Sequence, residues 1–149
     1  MKERQIVLTR LIAAPAEVVW RCWTDPAILP KWFGPDGHHC VTKAIDLREG
    51  GEWSFDMIGP DGTVWVNRHR YILWRAPERI EFLMDDGDDA DEPMQVVVEL
   101  TPEAGGTRIT QTMTFPTAAM RDGALAYGAD RLGQTTMAKL EAEALKLQA

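Results

Sequence analysis

"WRCWTDPAILPKWFGPDG", residues 20–37, sets three tryptophans and a phenylalanine among three prolines. Large aromatic side chains favour burial, and proline interrupts long helices. Such a stretch is satisfied as a short, kinked cover whose aromatic underside presses on a larger surface. The remaining sequence must supply that surface.

On the N-terminal side, Gln5–Ala13 alternates apolar and polar residues rich in Val, Ile and Thr, which predicts a strand. Pro15 suits the first position of a helix running to about Trp23, and Glu17 suits its positive end. Val19 and Trp23, four apart, share the buried face of that helix. Asp25-Pro26 restarts the chain as a second short helix with Asp25 as cap and Pro26 inside it. Pro30 and Gly34-Pro35 are expected to end it.

On the C-terminal side the period changes to that of strands. His39–Leu47, Glu52–Ile58, Thr63–Trp74, Arg79–Met84, Met94–Thr101 and Thr107–Phe115 read as strands, separated by Gly50-Gly51, Ala76-Pro77-Glu78 and Gly105-Gly106. Gly59-Pro60-Asp61-Gly62 repeats the four letters of Gly34–Gly37 and reads as a tight turn. From about Thr117 to Leu147, Leu125, Ala129, Leu132, Thr136, Leu140, Ala144 and Leu147 recur at spacings of three and four, which predicts one long helix. Consecutive strands joined by short turns imply a curved antiparallel sheet of six to seven strands. The fold class is α+β, with the sheet gripping the C-terminal helix and two short helices filling the gap after strand 1. Trp20, Trp23 and Trp32 should then be shielded against sheet and helix.

The chain of 149 residues is expected to form one domain over 1–149. Arg10 interrupts the first apolar run before it reaches signal-peptide length, and no run approaches a membrane span. Cys22 and Cys40 fit no CxxC pattern, so a reducing, cytoplasmic compartment is expected. A net charge of −7 argues against nucleic-acid and anionic-membrane partners.

Residues 10–37, "RLIAAPAEVVWRCWTDPAILPKWFGPDG", resemble the START-like (SRPBCC, helix-grip) superfamily, whose fold is shared with polyketide cyclases and the birch-pollen allergen. Within it the resemblance is to bacterial homologues of the heat-shock-protein ATPase activator. It rests on Ala14-Pro15, Trp20, Thr24-Asp25-Pro26 and Trp32-Phe33-Gly34-Pro35. It continues through Gly50-Gly51, Gly59–Gly62, Asn67-Arg68 with Tyr71, Pro77-Glu78-Arg79 and Gly105-Gly106-Thr107. The chain departs from those relatives in lacking a tryptophan at Ala129–Gly133. The resemblance implies the helix-grip fold. Its functions span ligand binding, cyclisation, dehydration and cochaperone activity on one scaffold.

The C-terminal helix contains "AYGADRLGQTT", residues 126–136, where Gly128 and Gly133 each cost about 1 kcal/mol of helix propensity relative to Ala. Glycine there either permits a tight helix–sheet contact or leaves space for a cavity. The cavity reading makes Ala129 and Gly133 part of its wall, opposite Trp53, Phe55, Trp65 and Met113 on the strands. It also expects a leucine at Gly133 to be accommodated. Asn67, His69 and Tyr71 alternate on one strand face and would orient a ligand. The opposite face would turn Arg68 and Arg70 inward, at a high desolvation cost. His69 is a candidate acid–base group.

His38 and Cys40 could converge as metal ligands, but two ligands do not make a zinc site, so no metal or cofactor is expected. The acidic run Asp85–Glu92 lacks the ligand spacing of a calcium loop and reads as a solvated hairpin loop. No nucleophile motif or phosphate loop appears. The expected function is binding of an apolar or amphipathic small molecule between helix and sheet, by a monomer or homodimer. The alternatives are a module that modulates a chaperone ATPase, with the chaperone as partner, and a cyclase- or dehydratase-like enzyme using Tyr71, His69 or Asn67.

Overall fold

The first strand, β1 (Gln5–Ile12), turns Ile6, Leu8 and Ile12 inward and Val7, Thr9 and Leu11 outward, as its alternation requires. The computed structural model describes residues 2–148. A single 3₁₀ turn (Lys2–Arg4) precedes β1. After it come α1 (Ala16–Thr24) and α2 (Leu29–Trp32). Six strands follow: β2 (His39–Ile45), β3 (Glu52–Ile58), β4 (Val64–Arg75), β5 (Arg79–Asp85), β6 (Met94–Glu103) and β7 (Gly106–Thr114). The chain closes with α3 (Ala118–Tyr127) and α4 (Ala129–Gln148). All seven strands form one antiparallel sheet in the order β1-β7-β6-β5-β4-β3-β2. This is the α+β helix-grip arrangement that the strand order and the long helix predict.

Three local expectations are corrected. Pro15 is the N-cap of α1, in extended conformation, and its carbonyl accepts from the amides of Val18 and Val19. Asp25 heads a turn, not a helix: its Oδ1 accepts from the Ala27 amide at 2.8 Å, and α2 begins only at Leu29. Pro30 lies in the first turn of α2, where a missing N–H is harmless, and so does not end it.

The C-terminal helix is also two helices. Gly128 adopts φ 95°, the left-handed conformation that caps α3, and its amide is bonded back to the carbonyls of Ala124 and Leu125. The regular three–four spacing runs through the break because α4 restarts one residue later. α3 begins where the Thr117 hydroxyl accepts from the Met120 amide at 3.1 Å. It buries no residue.

The core lies between the concave face of the sheet and α1, α2 and α4. Trp23 and Trp32 are 2% exposed and meet edge to face at 4.9 Å. The Trp32 indole donates to the Cys22 carbonyl at 2.9 Å, which satisfies its N–H in the interior. Trp20 is only half-buried, packing edge-on against Trp74 at 5.8 Å. The prolines therefore bend the cover so that two of its three tryptophans reach the core fully.

α4 is fixed to the sheet by Met137, Leu140 and Ala144. At its far end the Glu141 carboxylate takes Arg10 at 3.2 Å and the Ala13 amide at 3.2 Å. On the convex face, Arg68 and Arg70 point outward as expected and meet Asp85. Arg68 donates two bonds of 2.8 Å to that carboxylate, and Arg70 one of 2.9 Å. The Asp85 side chain is 3% exposed, so the acidic run is not wholly solvated. The Arg68 guanidinium bonded to it holds its carboxyl below the usual carboxylate range.

Candidate functional site

A cavity of about 350 Å³ lies between α4 and the sheet. Ala129 and Thr136 of α4 present small side chains to it, and Gly133 borders it. The loop after α2 closes one flank. Lys139 of α4 holds that loop by donating to the carbonyl of Gly34 at 3.0 Å, with those of Pro35 and His38 both at 3.4 Å. The Thr135 hydroxyl accepts from the Asp36 amide at 2.9 Å and secures it again. Partial burial lowers the Lys139 pKa, yet its charge is turned to these carbonyls, not to the cavity.

The two Gly-Pro-Asp-Gly turns meet at this flank. A Cβ at Gly37 would lie 3.0 Å from the Pro60 ring. His38, held by its Nδ1 to the Asp36 carbonyl at 3.1 Å, tilts against Trp65 with ring centres 5.6 Å apart. Trp65 is 41% exposed and Tyr127, at the end of α3, 69% exposed; both line the cavity and stand at its rim.

Four methionines give the floor its character: Met57 on β3, Met84 on β5, Met94 on β6 and Met113 on β7. Met84 and Met94 are direct cross-strand partners, and Met113 is opposite Val96. Unbranched thioether side chains adapt to irregular shapes, which suits a wall that must fit a guest. The polar groups reaching the cavity belong to His38, Asn67, Gln111, Thr136 and Tyr127, and no Lys, Arg, Asp or Glu lines it.

Of the residues expected at the site, Trp65, Asn67, Met113, Ala129 and Gly133 line the cavity. Trp53, Phe55, His69 and Tyr71 do not; they are at most 3% exposed and belong to the core behind it. Trp53 and Phe55 stack at 3.7 Å, and the Trp53 indole donates to Thr42 at 3.1 Å. His69 stacks on Phe82 at 4.5 Å and has Phe33, Trp53 and Phe55 around it at 5.1–5.3 Å. Phe33 and Phe82 are the partition: each touches His69 and also lines the cavity.

Burial drives the His69 pKa down to about 3, so the ring is neutral, and its Nε2 has no hydrogen-bond partner. A walled-off neutral imidazole cannot serve as the expected acid–base group for a guest in the cavity. Burial likewise pushes the Tyr71 hydroxyl upward. Gly133 is corrected too. It borders the cavity, but a Cβ added there would fall on Cδ1 of Leu8, so the glycine serves a close helix–sheet contact.

Met57, Met84, Met94, Gln111 and His38 were missed as cavity residues by sequence reasoning. Inward parity on three strands marks these methionines only once the register is known. Cys22 and Cys40 are free thiols, pushed up to about 11 and about 12 chiefly by burial, and Cys40 donates to the Phe33 carbonyl at 3.3 Å. Among the described residues no helix is long and apolar enough to cross a membrane.

The family model described as "Activator of Hsp90 ATPase homolog 1-like protein" matches residues 13–144. No curated protein matches the chain. Among solved structures, a Nitrosomonas europaea protein is 29% identical with a TM-score of 0.85, over 98% of this chain and 97% of its own. A Mycobacterium smegmatis protein is 27% identical with a TM-score of 0.86, over 99% and 94%. An AHSA1-like protein from Aeromonas hydrophila, 23% identical over 97% and 94%, shares the fold with a TM-score of 0.70. The matched residues run from the end of β1 through most of α4 and so take in nearly every wall of the cavity; the chain belongs to the Activator of Hsp90 ATPase homolog 1-like family, within the START-like superfamily.

Proposed function

We propose that this chain binds an apolar or amphipathic small molecule in the cavity between α4 and the sheet. The observation that supports this is an open space of about 350 Å³ whose floor is methionine and whose lining carries no charged side chain of Lys, Arg, Asp or Glu. Small-molecule sites are commonly concave, mostly apolar and furnished with a few polar groups, and 300 Å³ is about their lower bound. A space of this kind that served no guest would forfeit dispersion contacts along its whole lining.

The test uses a neutral fluorescent probe, N-phenylnaphthylamine, with the wild-type chain and the variant Ala129→Trp. An indole at the start of α4 projects into the cavity. Probe binding is expected to weaken at least tenfold, about 1.4 kcal/mol, while the variant keeps a cooperative melt. A variant that folds and binds the probe as wild type does would refute the reading.

Modulation of a chaperone ATPase is the second reading, supported by the description of the matching family. It predicts stimulation of a purified chaperone ATPase that Ala129→Trp leaves intact. The enzyme reading has lost its histidine and its tyrosine to the core.

A further inference from the structure

We propose that the cavity selects an elongate, uncharged, largely apolar molecule with a hydroxyl at one end and a second hydrogen-bonding group at the other. The proposal rests on the small-molecule reading above and specifies its ligand class.

Charge is decided by the lining. A carboxylate or ammonium brought into a cavity without a counter-charge loses its hydration and gains no partner. Lys139 of α4 is committed to three carbonyls of the flanking loop. The lining thus selects against fatty acids and amines and favours neutral molecules.

Length is decided by register. Gln111 on β7 stands between Leu8 of β1 and Val98 of β6. Val98 pairs with Ile80, and Ile80 with Trp74 of β4, seven positions along that strand from Asn67. Between β7 and β4 lie three inter-strand spacings, about 14 Å across the sheet. Gln111 and Asn67 therefore mark opposite ends of a diagonal strip, not one polar cluster. Met113, Met84 and Met94 occupy the floor between them.

The polarity of each end follows from the bonds already made. The Asp36 carbonyl can only accept, so Nδ1 of His38 donates to it, and the tautomer that makes this bond leaves Nε2 as an acceptor. Asn67 donates one N–H of its Nδ2 to the Trp65 carbonyl at 3.1 Å, which leaves Oδ1 as an acceptor and the second N–H as a donor. Both residues flank Trp65. Two acceptors beside one remaining N–H suit a ligand O–H, which donates and accepts in the same place. At the other end the Gln111 carboxamide, without a side-chain hydrogen-bond partner among the described residues, offers both a donor and an acceptor.

Three probe series test this with the whole chain, by titration calorimetry and thermal shift. They are linear diols with a hydroxyl at each end, from decane to hexadecane, with the matching mono-alcohols and carboxylates. The best diol is expected to bind about tenfold more tightly than its mono-alcohol, the worth of one buried hydrogen bond. The carboxylate should bind at least tenfold more weakly than the alcohol. Asn67→Leu and Gln111→Leu should each abolish the advantage of the diol, and each leaves the other end intact if one variant folds poorly. Carboxylates binding as tightly as alcohols would overturn the proposal and leave the cavity reading standing. So would a diol advantage that survives both substitutions. If no member of any series binds, both readings fall.

Discussion

A methyl group at Gly133 would meet Cδ1 of Leu8, the far end of a side chain that itself borders the cavity. Leu8 therefore has somewhere to go for one methyl and not for a whole leucine. Gly133→Leu is expected to lower stability by about 1–3 kcal/mol through overpacking, read as a fall in melting temperature. This reverses the expectation that a leucine would be accommodated. In a Leu8→Ala background the same substitution should cost at least 1 kcal/mol less, since the contact that opposes it is gone. Independent, additive losses would show that Gly133 and Leu8 do not press on one another. His69 supplies a second prediction. Its folded pKa of about 3 lies below the ordinary 6.5, so below pH 6.5 the unfolded chain takes up a proton that the folded chain refuses. Stability is therefore complete above about pH 6.5 and falls as pH drops towards 3, by up to about 1.4 kcal/mol per pH unit from this group. His69→Phe removes both the titration and the unpartnered Nε2. It should flatten that part of the pH–stability curve in urea titrations, and an unchanged slope would assign the acid sensitivity to other groups.

Between α3 and α4 the left-handed Gly128 decides which residues belong to which helix. α4 buries Met137, Leu140 and Ala144, whereas α3 buries nothing and leaves Met120, Leu125 and Tyr127 exposed. Few apolar contacts mean a low cost of local opening. In hydrogen exchange, the amides of α3 should exchange at least a hundredfold faster than those of α4 around Leu140. Equal protection would make the two helices one cooperative unit. Sequence periodicity could not reveal this division. Apolar residues keep three–four spacing across residue 128, and a helix propensity of glycine is the same whether it interrupts a helix or caps one. Only the positive φ separates the two cases. The short helices show the complementary case: a proline within a helical pattern suggests a stop at Pro30, yet a first-turn proline breaks no hydrogen bond.

Across the whole molecule, strand positions were legible because each strand alternates and each turn carries glycine or proline. Glu52–Ile58 was read to the residue, and the inward face of β4 followed from the cost of burying Arg68 and Arg70. Depth along that face was not legible. Asn67, His69 and Tyr71 share it, but where α4 and the loop after α2 cross the sheet decides that the first meets the cavity and the others the core. Likewise Met84 and Met94 lie on neighbouring strands ten positions apart, and nothing but the register makes them one surface. The same register carries a consequence for how the chain assembles. β2 to β7 form a meander in which every strand pairs with the one just before it, so those hairpins can form from local segments. β1 is different, because Ile6 is opposite Met113, more than a hundred residues away. Closing a loop of that length costs of order 4 kcal/mol of chain entropy, far more than a two-residue turn. On a ribosome, the first strand made would have to wait, its inward Ile6, Leu8 and Ile12 uncovered by a neighbouring strand, until the last strand had emerged.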